Sequence, residues 1–282
     1  MSKLVTTNHA RDIAGLTYIY PVISRRAGGL SIGVNFNINN ACNWRCIYCQ
    51  VPNLIHGGAP ELDFELLEHE LRYFLNQVLN GDFYQEFNVP ENQRVIKDIA
   101  ISGNGEPTSL KEFAKAIELI GSIARELNIF QQSRFVLITN GSLIHLPKVQ
   151  HGLKVLKHYG GEVWFKLDSA TEQGLKTINH ARHSVITHKQ NLLIAAQYCT
   201  TKIQMCLLNR DNQGLLLEEQ TALLNLLADI KQQSNINTVL LYTIARASHQ
   251  PEAPRLSALS FEVLNGFAER IRALGFEVSV SI

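Results

Sequence analysis

Three cysteines crowd one short stretch, Cys42-Asn43-Trp44-Arg45-Cys46-Ile47-Tyr48-Cys49, in the spacing C-x3-C-x2-C. Three thiolates on one loop suit three irons of a [4Fe–4S] cluster and leave the fourth iron without a protein ligand. Such an iron is open to a small molecule carrying oxygen and nitrogen donors, which is the logic of a catalytic metal site. Two other readings compete. A zinc site needs a fourth ligand, for which His56 is nearest, and zinc motifs come in C-x2-C pairs. An electron-transfer ferredoxin supplies four cysteines, and this loop has three. Cys199 and Cys206 lie far away and read as core residues.

Other reactive side chains fall where apolar runs end. Ser102-Gly103-Asn104-Gly105-Glu106-Pro107-Thr108 has two glycines, which let a backbone turn tightly and approach a ligand. Glu106 adds a carboxylate suited to an ammonium group. Asn140 belongs to Thr139-Asn140-Gly141, a common turn. In Val163-Trp164-Phe165-Lys166-Leu167-Asp168, alternation puts Trp164, Lys166 and Asp168 on one face. That charged pair reads either as a mutual salt bridge or as a binding pair. Gln204 and Cys206 share a face of a later strand, and Tyr242 sits on the last long one. Asn35, Asn37 and Asn39 alternate and read as a polar floor facing inward. The loop 245–255, with Arg246, His249 and Arg255, reads as a substrate contact. Arg25 and Arg26 suit a substrate carboxylate or phosphate. His180, His183 and His188 read as surface residues.

The elements that must position these groups alternate. Strands are expected at 31–38, 95–102, 134–139, 162–168, 202–208 and 237–244. Helices are expected at 61–79, 110–127 (capped by Thr108 or Ser109), 146–157, 215–233 and 257–274. The stretch 171–198 reads as helical with a break near His183-Ser184. Gly275 suits a C-terminal cap, and 276–282 an edge strand. Six βα units predict an α/β fold with a parallel sheet and outer helices. Six are too few for a closed eight-stranded barrel, so an open, partial (β/α)6 TIM-like barrel or a doubly wound sheet is expected. Either puts the site at the carboxyl ends of the strands. Residues 1–30 read as an N-terminal extension and 31–282 as the domain.

Composition excludes several classes. The 282 residues are 45% hydrophobic and 18% charged, enough for a substantial core and unlike a disordered chain. Lys and Arg number 26 against 25 Asp and Glu, a net charge of +1, which excludes nucleic-acid binding through bulk charge. No apolar run has membrane-spanning length, and residues 1–11 lack the apolar core of a signal peptide. A cytoplasmic address is expected.

The cysteine octapeptide resembles the signature of the radical S-adenosylmethionine (radical SAM) superfamily, and the partial barrel resembles its architecture. The resemblance implies that Cys42, Cys46 and Cys49 ligate a [4Fe–4S] cluster whose open iron takes the amino and carboxylate groups of S-adenosylmethionine (SAM). An electron from the cluster then cleaves SAM to methionine and a 5′-deoxyadenosyl radical, which takes hydrogen from a substrate. By the same resemblance Tyr48 meets the adenine. Gly103, Asn104, Gly105 and Glu106 handle the amino group, and Asn140 belongs to a recurrent Thr-Asn-Gly. Lys166 pairs the carboxylate, Asp168 meets the ribose hydroxyls or the amino group, and the Tyr242 strand meets the adenine edge. The motif Pro21–Arg26, the run Tyr242–Arg246 and the stretch Asn179–Arg182 are similar to proteins related to wyosine synthase, a tRNA-modifying enzyme. No cysteine precedes Cys42, so a single-cluster form is expected. The expected partners are an external one-electron reductant, flavodoxin or ferredoxin, and a small-molecule or RNA substrate. A non-catalytic iron–sulfur or zinc module is the alternative.

Overall fold

The computed structural model describes Leu4, residues 14–24 and residues 28–282. Eight strands lie side by side in one sheet in chain order. They are β1 (Ile19–Ser24), β2 (Gly29–Val34), β3 (Ile96–Ile101), β4 (Arg134–Thr139), β5 (Glu162–Lys166), β6 (Thr200–Cys206), β7 (Thr238–Tyr242) and β8 (Glu277–Ser281). β1 runs antiparallel to β2, and every later neighbour is parallel. β1 and β8 do not pair, so the curled sheet forms an open half-barrel. One long helix follows each strand from β2 to β7: α1 (Phe64–Asn80), α2 (Phe113–Glu126), α3 (Pro147–His158), α4 (Val185–Tyr198), α5 (Leu217–Gln233) and α6 (Phe261–Arg272). The expected partial (β/α)6 barrel is therefore present, with β8 as the expected edge strand.

Strand alternation separates two apolar surfaces. Ile99, Ile101, Phe135, Leu137, Val163, Phe165, Ile203 and Leu241 belong to the main core, which includes the helices. Ala100, Val136 and Trp164, with Ile138 and Leu240, form a separate cluster on the inner face. A parallel sheet covered on both faces is apolar on both, and each buried large side chain contributes about 1.5–3 kcal/mol. α1 shows how the helices dock. Leu67, Leu71, Phe74, Leu75 and Val78 repeat at helical spacing and are buried, while Asp63 Oδ1 caps the helix by accepting from Leu66 N at 3.0 Å. Ser184 caps α4 in the same way, accepting from Thr187 N at 3.1 Å, and this marks the expected break.

Several expectations are corrected. β1 lies within the stretch read as a strandless extension, and its Pro21 is tolerated at a sheet edge. The strand expected over 31–38 ends at Val34, so Asn35, Asn37 and Asn39 are loop residues. Neither Thr108 nor Ser109 caps α2; Glu112 occupies that position and makes no side-chain cap bond. The helical stretch before α4 closes in a π-turn, Leu175–Asn179, followed by left-handed His180. His188 is buried rather than exposed. Arg25 and Arg26 lie outside the described residues. Among the described residues, no helix is long and apolar enough to cross a membrane.

Candidate active site

A cavity of about 340 Å³ opens inside the half-barrel. Cys42, Cys46, Cys49, Tyr48, Gly103, Asn104, Gly105, Glu106, Asn140, Lys166 and Tyr242 all line it. These residues come from the ends of β2, β3, β4, β5 and β7, so the topology brings together all but one of the cluster- and SAM-binding residues that the resemblance implies. Asp168 is the exception. It lies behind Tyr48 and faces a second cavity of about 410 Å³ across the sheet end.

The cysteine loop leaves β2 and is fastened from three sides. Arg45 N donates to Asn179 O at 3.2 Å and Ile47 N to Ile178 O at 2.8 Å, which zips the loop to the π-turn. Trp44 is buried against the paired rings of His183 and His188, at 5.5 and 5.4 Å. The loop 245–255, expected to touch substrate, lines the cavity with Ala245 and Arg246 and also clasps this segment. Ser248 Oγ donates to Ile47 O at 2.7 Å, and His249 N donates to Cys49 O at 2.9 Å. Arg45 grips Glu252 with both guanidinium nitrogens at 2.7 and 2.8 Å. That bond to Arg45 holds the Glu252 carboxyl down at about 2.

The asparagines read as a floor form a bracket. Asn35 Oδ1 accepts from Asn37 N and from Asn104 N, both at 3.0 Å, while Asn37 Nδ2 donates to Ala41 O at 2.9 Å. They tie the Gly103–Glu106 turn against the cysteine loop. That approach requires glycine. A Cβ on Gly105 would stand 2.0 Å from Ala41 O, and one on Gly103 2.2 Å from Asn35 Oδ1. Asn140 Nδ2 donates to Asn43 Oδ1 at 2.9 Å, adding the β4 turn to the bracket.

Glu106 is buried beneath these turns. Its Oε1 accepts from Thr108 N, Thr108 Oγ1 and Thr139 Oγ1 at 3.1, 2.6 and 2.6 Å, and its Oε2 from Asn140 N at 2.7 Å. Burial raises its pKa against the pull of these donors. Lys166 Nζ is 3.4 Å from Tyr242 Oη, 3.7 Å from Asp168 Oδ2 and 4.9 Å from the Tyr48 ring centre. Burial is the largest single influence and opposes its charge, but Asp168 together with Tyr242, Cys46 and Cys206 outweighs it and holds the ammonium well above its usual range. Asp168 Oδ1 accepts from Cys206 N at 2.9 Å. Its Oδ2 accepts from Tyr48 Oη and from Asn179 Nδ2. Asp168 thus holds the aromatic that lines the cavity rather than facing the cavity itself.

The family model described as the radical SAM superfamily matches residues 36–218, more than half of the chain. The chain belongs to the radical SAM superfamily. It is 32% identical over 135 residues to a UPF0026 protein of Helicobacter pylori, a match spanning 48% of this chain and 38% of that relative. The chain therefore aligns with well under two thirds of its curated relative's length. Among solved structures, the radical SAM fold here is similar to that of TYW1 with a lysine-pyruvate adduct bound. The TM-score is 0.54 at 13% identity, covering 88% of this chain and 74% of that one. A radical SAM methyltransferase from Sphaerobacter thermophilus gives 0.54 at 14% identity, covering 90% and 66%. At such identities these two show the fold alone.

Radical SAM membership implies SAM and an iron–sulfur cluster, and the donor set fits one. Burial pushes the Cys42 thiol up to about 12 and the Cys46 thiol up to about 11, so neither is a free thiolate without a cation to replace its proton. Among the described residues, no group of three or more His, Cys, Asp or Glu side chains converges on a point for a single ion. Cysteines of a multi-iron cluster each bind a different iron, so they need one shared cavity and not one point. His56, the zinc candidate, is exposed on a two-residue strand beside Cys42. Sequence reading missed Arg45, Ser248, Glu252 and the contacts of Asn179. The signals pointing towards them were the resemblance over Asn179–Arg182 and the choice of the loop 245–255, which holds Ser248 and Glu252.

Proposed function

We propose that this chain is an enzyme that cleaves SAM reductively and uses the 5′-deoxyadenosyl radical to take hydrogen from its substrate. The observation that carries this reading is that the three cysteines, the Gly103–Glu106 turn and Lys166 line one cavity. Cys42, Cys46 and Cys49 would hold a [4Fe–4S] cluster, which supplies the electron for the cleavage. Glu106, with one lone pair of Oε2 uncommitted by protein donors, takes the SAM ammonium. Lys166 pairs its carboxylate. The glycine backbone of Gly103 and Gly105 lets the ligand lie close, with Asn104 and Asn140 bracing the turns. Tyr48 and Tyr242 offer faces for the adenine, and Asp168 fixes the angle of Tyr48 through its phenol. Residues 31–282 are the catalytic domain in this reading, with β1 supplied by the preceding extension. An external flavodoxin or ferredoxin is the reductant, because no flavin motif or second cysteine set is found in the sequence.

The test is anaerobic reconstitution with iron and sulfide, then SAM and dithionite, with Cys46→Ala as control. Formation of 5′-deoxyadenosine by wild type and not by the variant is the expected result. One zinc per chain with no acid-labile sulfide would overturn the reading in favour of a metal-binding module.

A further inference from the structure

Asn179 is fully buried at the end of the π-turn. Its Nδ2 stands 3.3 Å from Cys46 Sγ and 2.8 Å from Asp168 Oδ2, while its Oδ1 has no hydrogen-bond partner. Exchanging the amide nitrogen and oxygen would set a carbonyl oxygen against a carboxylate, so the contact with Asp168 settles the orientation. Both N–H groups are then committed, one to Asp168 and one to the cysteine sulfur. A buried carbonyl without a partner is costly, and an apolar side chain of this size would avoid it. The fold keeps the amide for its two donors.

The geometry points to Asn179 as a positioning residue that sets the reduction potential of the cluster, an inference resting on the [4Fe–4S] reading above. An N–H aimed at a ligating sulfur draws charge from it. The reduced cluster carries one more negative charge than the oxidised one, so the donor stabilises the reduced form more and raises the potential. Asp168 locks the rotation of the amide, and Tyr48 Oη donates to the same Asp168 oxygen. A continuous line of hydrogen bonds therefore runs from an aromatic of the SAM cavity to the Cys46 sulfur.

The experiment compares reconstituted wild type with Asn179→Ala, Asn179→Leu and Thr177→Val. Thr177 Oγ1 bonds Gln173 O at 2.8 Å, so its loss disturbs the same turn without touching the sulfur. Potentials are read by redox titration followed by electron paramagnetic resonance, with iron, sulfide and circular dichroism measured in parallel. Both Asn179 variants are expected to hold cluster with a more negative potential. At a poise that half-reduces wild type, the ratio of reduced to oxidised cluster falls roughly tenfold, or about 59 mV for one electron. Thr177→Val stays at the wild-type value. Equal potentials in all four proteins overturn the inference. Loss of cluster from both Asn179 variants with the fold retained also overturns it, leaving Asn179 a holder of Cys46. If wild type itself assembles no [4Fe–4S] cluster, the underlying reading fails, and this inference with it.

Discussion

His188 makes acidification a direct probe of the packing behind the cysteine loop. Its Nε2 lies 2.8 Å from Lys166 O, and its Nδ1 lies 3.0 Å from His183 Nε2. A carbonyl only accepts, so Nε2 carries the hydrogen and Nδ1 accepts from His183. A second proton on His188 would sit in the core and face another N–H. Burial, followed by the charge of His183, pushes its pKa from 6.5 down to about 4. At 1.36 kcal/mol per unit this shift corresponds to about 3 kcal/mol. The unfolded chain binds the proton first, so stability is whole above pH 6.5 and lost as pH falls towards 4, with about 2 kcal/mol gone at pH 5. The assay is urea unfolding by circular dichroism at several pH values between 7.5 and 4.5, for wild type and His188→Gln. Glutamine keeps an N–H for Lys166 O without titrating, so the variant should show a shallower acid slope even if its stability at pH 7.5 is lower. Parallel acid slopes would refute the argument.

Replacing any one of Cys42, Cys46 or Cys49 by alanine should abolish stable cluster, read as iron and sulfide per chain, while far-ultraviolet circular dichroism stays unchanged. Gly105→Ala places a methyl 2.0 Å from Ala41 O, a backbone atom, so the turn must move away from the cysteine loop. SAM affinity by calorimetry should fall by roughly tenfold or more, and an unchanged affinity would remove the close-approach role of Gly105. Glu252→Gln leaves Arg45 without its ion pair. With Arg45 side-chain exposure at 34%, screening limits the cost to about 1 kcal/mol. The expected sign is faster amide hydrogen exchange over both 245–255 and 42–51, whereas faster exchange in only the first segment would show that the clasp carries no load.

The sequence showed the chemistry more clearly than its mounting. The cysteine spacing and the strand Arg134–Thr139 were legible to the residue, because ligand spacing and an Asn-Gly stop are local signals. β1 is masked in the sequence by Pro21 and by the basic and glycine residues after it, which break the strand pattern. Asn35, Asn37 and Asn39 imitated strand alternation. They serve instead as local acceptors and donors in a turn, as short polar side chains do when they compete with a ladder. Asp168 lies two residues beyond the end of its strand, and the direction it faces depends on Tyr48 and Asn179, supplied by two other segments. The clasp by 245–255 left no local trace, since Ser248 and Ile47 lie 201 residues apart in the chain.

That separation has a temporal side. In this sheet each strand joins the one made just before it, so β1 to β6 can be added as the chain grows, through contacts between near neighbours in sequence. The Arg45–Glu252 pair and the bonds from Ser248 and His249 to Ile47 and Cys49 all close loops of about 200 residues. The cysteines are thus displayed early in synthesis and fastened late. Between those two moments lies an interval in which the thiols are assembled on a half-built sheet but open to whatever delivers iron and sulfide.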